Sequence, residues 1–586
     1  VFALMPTGSG KSLCYQIPSM IREGVGLVVS PLIALMQDQV EALRQNGIRA
    51  EFLNSSLPPE VAGRVEARIR AGRADILYVA PERLLMEGFQ RFLKTVPIAL
   101  FAIDEAHCVS QWGHDFRPEY LRIAEVTAAF PGVPRIALTA TADAVTRRDI
   151  LAKLDLSGAT SFVSSFDRPN IRYRVELKQN GKKQLLDFIR KEHPGDAGIV
   201  YVRTRKRADD MAGWLGEQGV QALPYHAGLD QGTRRENQRR FLMEEGLVMV
   251  ATIAFGMGID KPDVRFVAHL DLPASMEAYY QETGRAGRDG LPADAWMVYA
   301  LSDVVAMRKL LDNSEGEEHF KRIRQRKLEA LLGYCETAEC RRQVLLGYFG
   351  ETYPGECGNC DTCQRPVETW DGTLEAQKAL SCVARTGQRF GAVHLSDILT
   401  GNPSEQVKRW RHDRIRTFGV GRDLSKQAWR SVFRQLLAAG FLSVDMEGIS
   451  GFRLTEKSRP LLRGEHRVML RRDPAPVKAA KAPKRSAAAL FDLEDDRARE
   501  VFERLRALRL AISRELGVPP YVVFHDRTLK EMAAVCPRTL EELLGVNGVG
   551  EQKAERFGER FLTEIRKSAV AGSVTCDGEG KAAKRG

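Results

Sequence analysis

From Val1 to about Leu301 the chain repeats one pattern, a short unbroken apolar run followed by a stretch of helix length with one apolar face. The runs are Leu27–Ser30, Ile76–Ala80, Ala99–Ile103, Ile136–Thr139, Ile199–Val202, Leu247–Ala251, Val264–His269 and Ala295–Ala300. Continuous hydrophobicity, rather than alternation of polar and apolar residues, is what a parallel strand covered on both faces requires. The pattern therefore predicts a multidomain α/β protein with parallel sheets. It pauses between Ser164 and Tyr173, at Phe166-Asp167-Arg168-Pro169-Asn170, which reads as a hinge between two α/β domains, residues 1–163 and 164–313.

At 586 residues the chain exceeds what one core can serve, and about 150 residues per domain suggests about four domains. A hydrophobic content of 44% is that of a folded globular protein, and the net charge of +11 favours a polyanionic partner. No apolar run approaches the ~18 residues that cross a bilayer, so no membrane association is expected. Val1-Phe2-Ala3-Leu4-Met5 lacks the basic flank and cleavage site of a signal peptide and reads as a buried strand. Of ten cysteines, Cys340, Cys357, Cys360 and Cys363 cluster. The other six are scattered, which suits a reduced, cytoplasmic protein rather than a disulfide scaffold.

After about Asn313 the pattern changes. A charged helical stretch leads into a cysteine-bearing module (314–366), followed by several helices and a hairpin turning at Met446-Glu447-Gly448 (367–470). A basic linker (471–491) precedes a helical unit (492–568), in which Val501, Leu505, Leu508 and Ile512 recur at helical spacing. The tail, 569–586, is small, polar and basic and is expected to be disordered.

Chemistry enters at Thr7-Gly8-Ser9-Gly10-Lys11-Ser12, which follows the first predicted strand. Such a loop lets backbone N–H groups close on a β-phosphate, with Lys11 on the β/γ-phosphates and Ser12 on Mg²⁺. The full motif would have glycine where Met5 stands. A bare Gly-Lys-Ser also occurs in ordinary turns, so its partner decides. Asp104-Glu105-Ala106-His107 follows the apolar run Ala99–Ile103, which puts both carboxylates at the carboxyl end of a strand, where α/β sheets bind ligands. Asp104 is read as the Mg²⁺ ligand and Glu105 as the group that orients and deprotonates the attacking water. Gln281-Glu282-Thr283-Gly284-Arg285-Ala286-Gly287-Arg288 supplies two cations three residues apart, which share a face if the segment is helical. Coming from the second domain, Arg285 and Arg288 are read as arginine fingers that stabilise developing charge on ATP.

Further segments resemble the motifs of superfamily-2 helicases in order: Ser30-Pro31-Leu32, Thr139-Ala140-Thr141, Val200-Tyr201-Val202, and Ala251-Thr252 through Gly256-Met257-Gly258-Ile259-Asp260. Ser110-Gln111-Trp112-Gly113-His114-Asp115-Phe116-Arg117-Pro118-Glu119-Tyr120 is similar to the aromatic-rich loop of RecQ-family DNA helicases. The resemblance implies two RecA-like motor domains and a loop that senses single-stranded DNA, with His107 and Gln281 in the catalytic motifs and Asp260 at the nucleotide. Trp112 and Phe116 offer faces for base stacking and Arg117 a link to the nucleotide site, with Thr252 a further DNA contact; packed core aromatics are the alternative to an exposed loop for the two rings.

Cys340, sixteen residues, then Cys357-x-x-Cys360-x-x-Cys363 offers four thiolates for tetrahedral Zn²⁺; an Fe–S cluster is the other metal reading. The spacing also matches the structural zinc site of the RecQ family. Pro403–Gln435 carries nine basic residues (Lys408, Arg409, Arg411, Arg414, Arg416, Arg422, Lys426, Arg430, Arg434) against three acidic, with Trp410 among them. The resemblance makes this part of a winged helix binding duplex at the fork, with Lys408, Arg409 and Arg411 as contacts. Asp445-Met446-Glu447-Gly448 is short and acidic for a strand-separating wing.

Gly517-Val518-Pro519-Pro520-Tyr521-Val522-Val523-Phe524 and Val546-Asn547-Gly548-Val549-Gly550 resemble a small all-α HRDC domain, with Tyr521 and Lys530 as DNA contacts by resemblance. Its 14 basic and 15 acidic residues from Asp492 to Lys567 leave little net charge for DNA, and a protein-contact role fits nearly as well.

The reading is thus an ATP- and Mg²⁺-dependent DNA helicase with one structural Zn²⁺. By family resemblance it moves 3′ to 5′ on single strands, acts on forked duplexes in recombination and repair, is nucleoid-associated, and meets single-strand-binding protein and other repair proteins. A superfamily-2 RNA helicase and a winged-helix DNA-binding protein with an inactive motor are the alternatives. Lys11 lies close to the first residue and the family's adenine-reading glutamine motif would precede Val1, so a chain truncated at its amino end is expected.

Overall fold

The computed structural model describes residues 1–31, 33–54, 57–112, 116–255, 261–312, 318–444, 451–473 and 496–570. Two parallel sheets carry the first half. The first comprises β1 (Phe2–Leu4), β2 (Val25–Val29), β3 (Ala50–Leu53), β4 (Ile76–Val79), β5 (Ile98–Ile103), β6 (Arg135–Thr139) and β7 (Ser161–Val163), in the order β3-β4-β2-β5-β6-β1-β7. The second comprises β8 (Ile171–Leu177), β9 (Gly198–Tyr201), β10 (Ala222–Tyr225), β11 (Val248–Ala251), β12 (Phe266–His269) and β13 (Ala293–Tyr299), in the order β10-β11-β9-β12-β13-β8.

All eight apolar runs are strands, and the run at Val1–Met5 contains β1. The strands that the pattern did not mark are β3, β7, β8 and β10, and these are the four sheet edges. An edge strand is covered on fewer sides, so its sequence need not be continuously apolar. Strand β8 buries Ile171, Tyr173 and Val175 while Arg172 and Arg174 are half-exposed, β10 contains Pro224 and is half-buried throughout, and β7 is exposed along its length.

Beyond the second sheet, the helices Glu318–Glu336, Arg341–Tyr348 and Asp361–Gln364 carry the cysteine module. A unit of helices (Thr373–Arg385, Ala392–Thr400, Glu405–Arg409 and Lys426–Ala438) follows, with an antiparallel hairpin of Leu442–Val444 against Phe452–Leu454. Antiparallel strands Thr369–Asp371 and Met469–Arg471 close this unit. The wing-tip residues Asp445-Met446-Glu447-Gly448 lie outside the described residues, as do 474–491 of the linker and 571–586 of the tail. Arg471, counted above with the linker, is instead buried in the closing strand.

One hydrophobic core runs through the first sheet, one face of the second, the cysteine module and the winged unit, while helices Asp496–Leu516, Pro520–Val523, Asp526–Val535, Leu540–Leu544 and Glu551–Val570 enclose a core of their own. A buried ion cluster fastens the first assembly: Glu336 accepts from Arg434 Nε at 2.5 Å, and Asp473 from Arg434 Nη2 at 2.6 Å. Arg434 therefore leaves the basic run that the sequence suggested for DNA. Among the described residues no helix is long and apolar enough to cross a membrane.

Candidate functional site: a nucleotide cleft and its DNA-facing surfaces

The phosphate loop leaves the carboxyl end of β1, and the helix Leu13–Ile21 begins directly after it. Gly8 and Gly10 have φ of +85° and +82°, a region that residues with a Cβ rarely adopt. Ser12 stands at the helix N-cap without making a capping bond through its hydroxyl. Asp104 and Glu105 follow β5, two strands from β1. Lys11 Nζ lies 3.9 Å from Asp104 Oδ1 and 3.9 Å from Glu105 Oε1. Burial raises the Asp104 carboxyl above its ordinary range, with Lys11 pulling the other way. A carboxylate so far removed from water is stabilised by a cation, so Asp104 and the Ser12 hydroxyl suit Mg²⁺.

Glu105 sits at φ +47°, strain of the kind found at functional turns. His107 is fully buried, its Nδ1 2.9 Å from Thr139 Oγ1 and 3.3 Å from Glu105 Oε2. It thus ties the acidic motif to Thr139-Ala140-Thr141. Tyr120 Oη donates to the Asp104 carbonyl at 3.0 Å.

The finger arginines depart from the helical expectation. The helix Met276–Thr283 carries Gln281, half-buried, and ends before either arginine, so Arg285 and Arg288 occupy a turn with no common helical face. Arg285 is buried and faces Tyr201 of its own domain. Arg288 crosses the cleft: a Cβ added to Gly8 would lie 3.2 Å from Arg288 Cγ. Gly8 thus suits the position both through its φ and through this close approach. Asp260, with Gly256-Met257-Gly258-Ile259, and Leu32 lie outside the described residues.

The aromatic loop borders the same cleft. Trp112 and Phe116 are half-buried, neither being a closed core residue, and 113–115 lie outside the described residues. Arg117 Nη1 donates to the Pro31 carbonyl at 2.8 Å, so it links this loop to Ser30-Pro31. Lys327, from the helix Glu318–Glu336, donates to the Trp112 carbonyl and pairs with Glu277 at 2.5 Å. Thr252 follows β11, half-buried, its N–H bonded to the Tyr225 carbonyl at 3.2 Å.

The Sγ atoms of Cys340, Cys357, Cys360 and Cys363 lie within 4.8 Å of one another, with Cys357 and Cys363 at 3.9 Å. Tetrahedral Zn²⁺ with Zn–S of about 2.3 Å places its sulfurs about 3.8 Å apart, so the four thiols fit the ion. Cys340 and Cys360 each precede a short helix, which fixes their direction. The module also anchors the segment read as a hinge. Phe166 is buried and stacks on Phe349 at 4.6 Å, its N–H donates to Glu351 at 2.7 Å, and Asp167 pairs with Arg342. The crossover is therefore packed rather than loose.

In the winged unit, Lys408, Arg409, Trp410, Arg411, Arg414 and Arg416 are all exposed along one short stretch. Lys426 pairs with Asp397. In the last helical unit both residues read as DNA contacts, Tyr521 and Lys530, are half-buried. Tyr521 is half-buried and stacks on His525 at 6.3 Å. Lys530 is half-buried over the Phe502 ring and lines a polar cavity of about 300 Å³ shared with Asp196, Asp263 and Arg265 of the second sheet domain. The unit docks there through Arg509 and Arg506, which reach Glu245 at 2.8 and 2.6 Å. Val546 and Val549 are buried, while Asn547, Gly548 and Gly550 are at the surface.

Five domain families match this chain consecutively: DEAD/DEAH box helicase (residues 1–150), helicase conserved C-terminal domain (181–290), RecQ zinc-binding (301–364), RQC domain (366–479) and HRDC domain (498–565). The ATP-dependent DNA helicase RecQ of Haemophilus influenzae is 44% identical over 96% of this chain and 90% of that protein. The chain belongs to the RecQ family of ATP-dependent DNA helicases. The RecQ helicase of Bacillus subtilis is 40% identical over 97% of this chain and 93% of its own. Among solved structures, Mycobacterium smegmatis helicase Lhr bound to ssDNA and AMP-PNP aligns at 17% identity and TM-score 0.41, covering 78% of this chain and 56% of that one. The cofactors of this RecQ motor are ATP, Mg²⁺ and Zn²⁺, and its partner is DNA.

Sequence reasoning missed one member of the cleft. Arg168, counted only as part of the crossover, donates to the Thr7 carbonyl at 2.9 Å. Its signal was its place before Pro169, which favours an extended backbone there, yet nothing in the local sequence says where such a side chain ends.

Proposed function

We propose that Lys11, Ser12, Asp104, Glu105, Arg285 and Arg288 form the ATP-hydrolysing centre, with the aromatic loop reporting bound single-stranded DNA to it. The observation that carries this reading is Lys11 Nζ at 3.9 Å from both Asp104 and Glu105 while Arg288 packs on Gly8 from the other domain. Mg·ATP, when bound, supplies the phosphoanhydride whose cleavage drives translocation. Thr7 to Lys11 cradle the phosphates, Asp104 and Ser12 orient the cation, and Glu105 takes a proton from the attacking water. His107 keeps Glu105 in register with Thr139, and Arg288 faces charge that develops across the cleft. Trp112, Phe116, Arg117 and Thr252 line the single-strand path. Lys408, Arg409 and Arg411 meet duplex phosphates at the fork, and movement runs 3′ to 5′ as in the family.

The test is the ATPase rate with single-stranded DNA, with RNA and with neither, for the intact chain and for Lys11→Ala. Stimulation by DNA, lost in the variant, is expected; stimulation by RNA alone or full activity of Lys11→Ala refutes the reading. Cys340, Cys357, Cys360 and Cys363 hold the zinc ion, so Cys360→Ser retaining full zinc by metal analysis refutes that assignment.

A further inference from the structure

Arg168 belongs to none of the motifs assigned above. It lies in the crossover between the two sheets, and its guanidinium enters the cleft. Nη1 donates to the carbonyls of Thr7 at 2.9 Å and Gly284 at 3.1 Å, and Nη2 to those of Ala286 at 2.9 Å and Gly287 at 3.0 Å. Thr7 is in the phosphate loop of the first domain. Gly284, Ala286 and Gly287 frame the turn that presents Arg285 and Arg288 from the second. One planar donor group, 161 residues from Thr7 and 116 from Gly284 in sequence, thus holds both.

The side chain is itself held in place. Phe166 is clamped between Phe349 and Tyr280, with ring centroids 4.6 and 5.7 Å away. Asp167 pairs with Arg342 of the zinc module. On the far side, Asn170 Nδ2 donates to the carbonyls of Gly287 at 2.8 Å and Leu291 at 2.9 Å. Gly287 has φ +57°, and a Cβ there would fall 2.4 Å from Asn170 Nδ2. The finger turn is therefore shaped to the crossover. Burial, with Arg288 nearby, lowers the Arg168 guanidinium below its ordinary range. Its four bonds go to backbone carbonyls, which fix geometry and leave its charge un-neutralised by direct contact.

We infer that Arg168 is a positioning residue for ATP hydrolysis, setting the placement of Arg288 against the phosphate loop and making the crossover part of the catalytic closure. The inference rests on the nucleotide-site reading above. Arg168 does not bind the scissile phosphate; it acts through the finger turn. Lysine offers the charge but not the fork that spans four carbonyls, so the fork is what the reaction uses.

The experiment measures single-strand-stimulated ATPase for the full chain, Arg168→Ala, Arg168→Lys, Arg288→Ala and the Arg168→Ala/Arg288→Ala double variant. Thermal melts and single-strand binding without nucleotide serve as controls for folding. Arg168→Ala is expected to lower kcat by about 10- to 100-fold, less than the loss from deleting a group that touches developing charge directly, with the ATP KM changed by less than about threefold. The double variant is expected within about threefold of Arg288→Ala, because the two act as a unit. Arg168→Lys should recover only part of the rate. Wild-type kcat in Arg168→Ala, or losses that multiply in the double variant, overturn the inference alone. Full activity of Arg288→Ala overturns the finger reading and this inference with it. If Arg168→Ala does not fold, the kcat of Arg168→Lys decides by itself: an undiminished rate overturns the role of the fork.

Discussion

Replacing Glu245 by alanine should release the HRDC domain from the second motor domain. Glu245, with 15% of its side chain exposed, accepts from Arg509 Nη2 at 2.8 Å and pairs with Arg506 Nε at 2.6 Å. Arg509 is 2% exposed and also reaches Asp526 at 2.7 Å. Deleting the carboxylate leaves a guanidinium out of water with one acidic partner where it had two. Breaking a buried pair costs about 3–5 kcal/mol, and the retained Asp526 contact brings the expectation down to about 2–3 kcal/mol. That is roughly a 30- to 150-fold shift in the docking equilibrium, opposed by a tether that holds the domain at about millimolar effective concentration.

Small-angle scattering at fixed salt reads the result as a larger radius of gyration in Glu245→Ala than in wild type. Arg509→Ala should do the same. The double variant should lose less than the sum, because the Arg509–Glu245 pair is lost only once. An unchanged radius in both single variants, across a salt titration, would show that these ion pairs do not hold the domain.

Two other perturbations separate the motor from its accessories. Burial alone would lower the His193 pKa, but hydrogen bonds to Asp196 and Asp294, 2.9 Å each, outweigh it and raise the imidazolium above its ordinary value. The stabilisation is therefore complete below about pH 6.5 and fades as pH rises through the higher folded value. The Tm gap between wild type and His193→Asn should accordingly be wider at pH 6 than at pH 9; a gap that holds constant contradicts the assignment. Joint replacement of Lys408, Arg409 and Arg411 by alanine should make the slope of log K against log salt for duplex binding less negative by about 2–3. A slope equal to wild type would mean that this exposed stretch meets no phosphate.

The residues explain why some of this molecule was legible and some was not. Lys11, Asp104 and Glu105 could be placed because each follows an apolar strand within a few residues, and the carboxyl end of such a strand is where a parallel sheet binds ligands. The four cysteines could be grouped because two x₂ spacings bring three sulfurs into one turn. Lys530 and Arg434 were harder. A basic side chain on a helix looks the same in sequence whether it faces DNA, a cavity toward another domain, or buried carboxylates such as Glu336 and Asp473.

By itself the sequence determined the central strands, the chemistry of the phosphate loop and acidic motif, and the composition of the metal site. These are local: burial on both faces, a turn's demand for glycine, and ligand softness all act on contiguous residues. Only the tertiary structure decided the four edge strands, whose partial cover leaves no continuous apolar run. It alone also decided that Arg288 crosses to Gly8 while Arg285 stays with Tyr201, and that Arg168 ties Thr7 to the finger turn over a separation of 161 residues. The physical reason is that a guanidinium on a long stem can meet any carbonyl the fold brings near, and which carbonyl that is depends on how two sheets and a zinc module close around one crossover.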